Sequence, residues 1–159
     1  MFRNFKNKLL EPKERILAGA RELFFKHGTK TITMEDIAKH LGMSKKTLYQ
    51  FFANKNDLVD TMMLQQLNDH ESDCSLMASE STNVIEEILA LMNYMGNFFS
   101  QINPNLFYDL QKYHKSSWDL FRKFKEDYIV KMVEESLIKG IKQGLVRSDL
   151  DIKTIARMR

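Results

Sequence analysis

Apolar residues recur along this chain at helical spacing rather than in alternation. Ile16, Leu17, Ala20, Leu23 and Phe24 fall at i, i+1, i+4, i+7 and i+8, behind a proline at position 12 and ahead of Gly28. Proline suits the first position of a helix and glycine suits its end, so a helix is predicted from Pro12 to about Gly28. Thr33, with Asp36 three residues on, has the form of a capping box for a second helix whose inner face is Ile37, Ala38 and Leu41. Gly42 can take the left-handed conformation that ends it. Met43 can plug the turn, and Ser44 can cap a third helix. On that third helix Ser44, Thr47, Leu48, Phe51 and Phe52 occupy one side, and Lys45, Lys46, Tyr49 and Gln50 the other.

Asn54 and Asp57 can cap a fourth helix carrying Leu58, Met62, Met63 and Leu67. Residues 69–83, DHESDCSLMASESTN, break the apolar pattern and predict a boundary, part helix extension and part linker. From Asn83 to Ile102 apolar residues run almost all round, which predicts a helix central to a bundle. Asn103-Pro104 interrupts it. A short helix with Leu106, Phe107, Leu110 and Tyr113 follows, then a long one marked by Trp118, Phe121, Phe124, Tyr128, Met132, Val133 and Leu137 and stopped at Gly144. A last stripe, Ile152, Ile155 and Ala156, begins near Asp151.

Composition supports this all-α reading. The 159 residues include only 6 Gly and 2 Pro. They suffice for one large or two small domains with a buried core. Charge is unevenly placed: residues 1–56 hold 12 Lys and Arg against 5 Asp and Glu, and residues 57–159 hold 12 against 16. The positive excess coincides with the paired helices, where release of counterions from duplex DNA would reward it. Residues 1–11 read as a basic arm, most simply a frayed terminus. A single cysteine, Cys74, excludes an internal disulfide and reads as a neutral thiol. No apolar run is long enough to cross a bilayer, and no secretory h-region follows the N-terminus, so a cytoplasmic protein is expected, without a membrane role.

A cationic outer face on the second of two helices joined by a tight turn is the form that a helix-turn-helix presents to the major groove. Lys46 and Gln50 are the candidates for base edges, because lysine can donate to guanine and glutamine can pair with adenine. Lys45, Tyr49 and Lys55, with the hydroxyls of Thr33, Ser44 and Thr47, suit phosphates.

The segment from Thr33 to Leu58, TMEDIAKHLGMSKKTLYQFFANKNDL, resembles the DNA-binding segment of the TetR family of bacterial transcriptional repressors. Thr33, Ile37, Ala38, Gly42, Ser44, Leu48, Tyr49, Phe52, Lys55 and Leu58 stand at the family's spacing. The resemblance assigns backbone contacts to Tyr49 and Lys55. Phe51 departs from it, standing where many relatives have a tyrosine or histidine, and offers no hydroxyl to a phosphate.

The resemblance implies a three-helix DNA-binding domain over residues 1–54 and a helical effector-binding and dimerising domain over 55–159, joined through the fourth helix. It further implies a homodimer on a near-palindromic operator and a repressor released when a small molecule binds the second domain. The family's region after Asp151 opens into two further helices that make the dimer interface, and this sequence stops before them, so it reads either as a truncated form or as a member that departs from the family. Met92, Met95, Phe98, Phe99, Phe107, Tyr108, Trp118 and Phe121 are the candidates to line a site for a flat or apolar effector, against the plainer reading that they are core.

Other chemistry finds little support. His27, His40, His70 and His114 are scattered, with no Gly-x-Ser-x-Gly, His-Glu-x-x-His or phosphate loop, and neighbouring acids such as Glu86-Glu87 point apart on a helix. His70 beside Asp69, Glu71 and Asp73 reads as a solvated cluster rather than a metal site. Neither an enzyme, a cofactor nor a metal is expected. The alternative function is a helical protein-interaction module that docks through the basic helix.

Overall fold

A computed structural model describes residues 11–158. The predicted basic arm lies outside them but for Glu11. All regular structure among the described residues is helical: α1 (Pro12–His27), α2 (Met34–Leu41), α3 (Lys45–Phe51), α4 (Lys55–Glu80), α5 (Val84–Ser100), α6 (Asn105–Tyr113), α7 (Lys115–Phe124), a π-helical turn (Lys125–Ile129), α8 (Val130–Lys142) and α9 (Ile152–Arg157).

Local chemistry sets most of these boundaries. Pro12 opens α1, and Gly28 follows it at φ 78°. Thr33 accepts from the Asp36 amide, and the Asp36 carboxylate accepts from the Thr33 amide at 2.9 Å, a complete capping box. Gly42 ends α2 in the left-handed region at φ 63°. Ser44 caps α3 by accepting from the Thr47 amide at 3.0 Å. Asn54 accepts from the Asp57 amide, while the Asp57 carboxylate reaches back to the Ala53 amide. Asp151 caps α9 through the Thr154 amide.

Two compact units result. The first comprises residues up to Gln65 together with Gln101–Trp118, and the second Gln66–Ser100 together with the residues from Asp119 on. The first therefore contains α1–α3, the start of α4, and α6. Ile16, Phe24, Ile37, Leu48, Phe52, Leu58, Leu106 and Leu110 form its interior. Gly19 lets α2 approach closely there: a Cβ would lie 2.5 Å from Leu41 Cδ2, and that side chain would have to shift. Asn103 ties the stretch before α6 to the end of α1, donating from its amide to the Phe25 carbonyl at 2.7 Å and from its side chain to the Lys26 carbonyl.

In the second unit α4 continues unbroken through the polar stretch from 69 to 80, where a boundary was predicted; only residues 81–83 interrupt the helices. Its polar side chains find partners inside the unit. His70 is 6% exposed, not solvated, with Nδ1 hydrogen-bonded to the Tyr94 hydroxyl and its ring edge-on to Phe98. Tyr94 in turn donates to Asp73 at 2.8 Å. Burial and that carboxylate push the Tyr94 phenol well above its ordinary pKa, so it remains a donor. Cys74 is buried, which raises its thiol pKa and keeps it neutral.

Two further predictions are corrected. The long helix after Trp118 is divided by the π-helical turn, whose wider winding carries one extra residue and shifts the face that Val130 onward presents. In α5, predicted to be central, Ile85, Leu89, Met92 and Phe99 are 43–65% exposed among the described residues. The buried positions of α5 are instead Val84 and a charged one, Glu87, whose carboxylate accepts from the Ser136 hydroxyl and from Lys139 Nζ at 2.8 Å. Gly140 admits Val84 and Val146 beside α8, with a Cβ there only 2.5 Å from Val146 Cγ2.

Candidate nucleic-acid interface

Seven residues make α3 too short to be stable alone. It is held by Leu48, fully buried, and by Phe52 just beyond its end. That anchoring turns Lys45, Lys46, Tyr49 and Gln50 outward, and all four are exposed, Tyr49 at 49%. Phe51 does not share the inner side as predicted: it is 38% exposed. The helix leaves α-geometry at Phe52, whose φ of −135° swings that ring inward in its place.

The polar groups on this surface are unequally committed. Lys45 lies 3.5 Å from Glu35, which also pairs with Lys39 at 2.9 Å, and the two lysines hold the Glu35 carboxyl below its ordinary pKa. Those contacts are solvent-exposed and yield readily to another anion. Lys46 and Gln50 have no protein partner among the described residues. Ser44 and Thr47 share a hydroxyl hydrogen bond of 2.9 Å, so one of their two O–H groups remains to donate. Thr33 directs its O–H to the Asp36 carboxylate at 2.6 Å, which commits it to the cap.

Lys55 stands apart from this face. It lies in the first turn of α4, half-buried, and its ammonium donates to the Thr29 carbonyl. Desolvation lowers its pKa, opposed by the charges of Asp109 and Asp36.

The eight candidate ligand residues are divided between the two units. Phe107, Tyr108 and Trp118 belong to the first unit, and Met92, Met95, Phe98, Phe99 and Phe121 to the second. Met92, Phe99 and Tyr108 are exposed and the others partly buried. The Phe98 and Phe99 rings meet at 5.5 Å. Within the second unit a groove of about 420 Å³ runs among Glu71, Cys74, Ala78, Glu87, Tyr128 and Met132, large enough for a small molecule and lined by none of the eight.

Sequence reasoning missed two groups. Asp109 and Thr29 are buried polar residues behind the paired helices, and Glu87 is the buried acid of the second unit. A signal existed for Asp109, which interrupts the apolar stripe of Leu106, Leu110 and Tyr113. Nothing in the sequence marked Glu87 apart from its neighbour.

Residues 16–62 match the family described as bacterial regulatory proteins, tetR family. The chain is 30% identical to SAB2452, an HTH-type transcriptional regulator of Staphylococcus aureus (strain bovine RF122 / ET3-1), over 80% of each chain. It is also 30% identical to the uncharacterized HTH-type transcriptional regulator YvaF of Bacillus subtilis (strain 168), a match that covers 74% of this chain and 62% of YvaF. Among solved structures, a TetR-family transcriptional regulator from Agrobacterium tumefaciens superposes with a TM-score of 0.79 at 17% identity, over 91% of this chain and 79% of that one. These proteins are regulators, not enzymes. With its two capped helices and the outward face of the second, the chain belongs to the TetR family of bacterial regulatory proteins.

Proposed function

We propose that α3 lies in the major groove of duplex DNA and that the protein is a repressor released from its operator by a small molecule. The observation that carries the DNA reading is the outward, exposed set of Lys45, Lys46, Tyr49 and Gln50, anchored from behind by Leu48. Lys46 and Gln50, unpartnered among the described residues, read base edges. Lys45, Tyr49 and the spare hydroxyl of the Ser44–Thr47 pair bind phosphates and fix the register. A two-fold dimer would place two such helices about one helical turn of DNA apart, on a near-palindromic site.

The effector is a small apolar or aromatic molecule bound in the second unit, where Met95, Phe98 and Phe121 offer partly covered apolar surface. It lowers DNA affinity only by binding the two states of the protein unequally.

Selection of duplexes from a random pool, followed by titration of the best sequence and a scrambled control, tests the DNA reading. Lys46→Ala should weaken binding to the selected duplex by about 1–3 kcal/mol and relax its preference at one position. Equal losses on both duplexes would remove Lys46 from base reading. No binding by the wild-type protein would remove the proposal.

A further inference from the structure

We infer that the groove of the second unit, walled by α4, α5, the π-helical turn and α8, is a site for a small organic cation: an ammonium carried on an apolar body. The site deepens the effector reading of that unit by giving the ligand a charge, and its regulatory consequence rests on that reading; the binding itself does not.

Size and lining come first. About 420 Å³ accommodates one aromatic ring with a short chain. Cys74 is buried at the groove wall, and Ala78 and Met132 are partly covered beside it, which gives an apolar body something to rest on. Tyr128 adds an aromatic ring, the kind of surface that attracts a cation. That ring is held from two sides: it stacks on Phe124 at 5.1 Å, and its hydroxyl donates to the Glu71 carbonyl at 3.0 Å.

Charge then separates an amine from an acid or a neutral molecule. The groove is lined by three carboxylates, Glu71, Glu87 and Glu135, against two ammonium groups, Lys131 and Lys139. Glu87 is buried and already answered, by Lys139 Nζ at 2.8 Å and by the Ser136 hydroxyl. Lys131 meets Glu135 at 3.7 Å on one exposed helix face, a weak pair that nonetheless balances. Glu71 has no ion-pair partner among the described residues. One positive charge is what the wall lacks. The flanking sequence leans the same way: residues 66–100, which supply the α4 and α5 walls, hold six carboxylates and no Lys or Arg. Two of the six, Asp73 and Glu86, are engaged by Tyr94 and Thr82, so Glu71 is the acid that faces the groove uncommitted. An anionic ligand would enter against this field, and a neutral one would leave it unanswered.

Three probes of one shape test this by calorimetry on the full chain: phenylbutylamine, phenylbutyrate and phenylbutanol. At neutral pH the amine should bind about tenfold more tightly than the alcohol, and the acid more weakly than either. An acid or alcohol that matches the amine overturns the inference, as does an amine that does not bind. Two variants locate the site. Glu71→Gln changes an exposed side chain; it should weaken the amine about fivefold while moving the alcohol by less than about twofold. Ala78→Trp fills the groove and should abolish binding of the amine. Amine affinity unchanged in Glu71→Gln, or in a folded Ala78→Trp, places the ligand elsewhere and overturns the site. Should Ala78→Trp fold poorly, Glu71→Gln alone decides. Regulation is read separately: with the duplex selected from a random pool as probe, saturating amine should raise the Kd for DNA. An amine that binds with the expected preference, weakens in Glu71→Gln and leaves the Kd for DNA unchanged would remove the effector reading while upholding the cation site.

Discussion

His114 is buried, and its Nδ1 has no hydrogen-bond partner among the described residues. Burial lowers its pKa below the ordinary 6.5, the nearby Lys55 cation lowers it further, and Asp60 and Asp109 oppose both. The unfolded chain therefore takes up a proton on this ring before the folded one does. Stability should be constant above pH 6.5 and fall as pH drops below it, in the window that precedes carboxylate titration at about pH 4–5. Denaturant midpoints between pH 7.5 and about 5 would show the slope, and His114→Gln should flatten it. An unchanged slope would assign the loss to other groups. The same residue shows what a sequence hides: histidine at position 114 stands at the end of an apolar stripe, but the depth of its burial shows only in the fold. Lys46 and Gln50 were legible because their exposure follows from the position of Leu48 alone.

Among the elements, α3 depends strongly on its surroundings. A helix of seven residues gains little from its own hydrogen bonds, and its Ser44 cap adds about 1 kcal/mol. Packing of Leu48 supplies the rest, so Leu48→Ala should destabilise the protein by about 2–5 kcal/mol. It should abolish DNA binding near the melting temperature of the variant while leaving every outward residue in place; thermal unfolding followed by circular dichroism would measure it. The caps at Thr33, Ser44 and Asn54 could be read in advance because capping is settled within four residues. The continuation of α4 to Glu80 could not. Its polar side chains look like a linker until Tyr94 reaches Asp73 and His70, and Tyr128 reaches the Glu71 carbonyl. The π-helical turn escaped for a similar reason, since its added residue leaves the apolar spacing around Phe124 and Tyr128 plausible for an ordinary helix.

For the molecule as a whole, the expected division at residue 54 describes the motif but not the packing. The unit that contains α3 draws on residues up to Gln65 and again on Gln101–Trp118. Leu106 and Leu110 of α6 are buried in it, and α6 packs on α1. Each leucine contributes about 1.5–3 kcal/mol of burial, against a total stability of about 5–15 kcal/mol for a domain. A fragment ending at Gln65 should accordingly melt at least 10 °C below the full chain, or show no cooperative transition in circular dichroism. A fragment as stable as the full chain would mean that α6 adds nothing to this unit. The discontinuity also constrains how such proteins could diverge. A crossover that joins one regulator's helix-turn-helix to another's effector bundle near residue 60 would import a foreign α6, with a different side chain where Asp109 meets Gly28 and Lys30. Chimeras that change operator preference while keeping their inducer should therefore exchange two separate stretches of gene, not one.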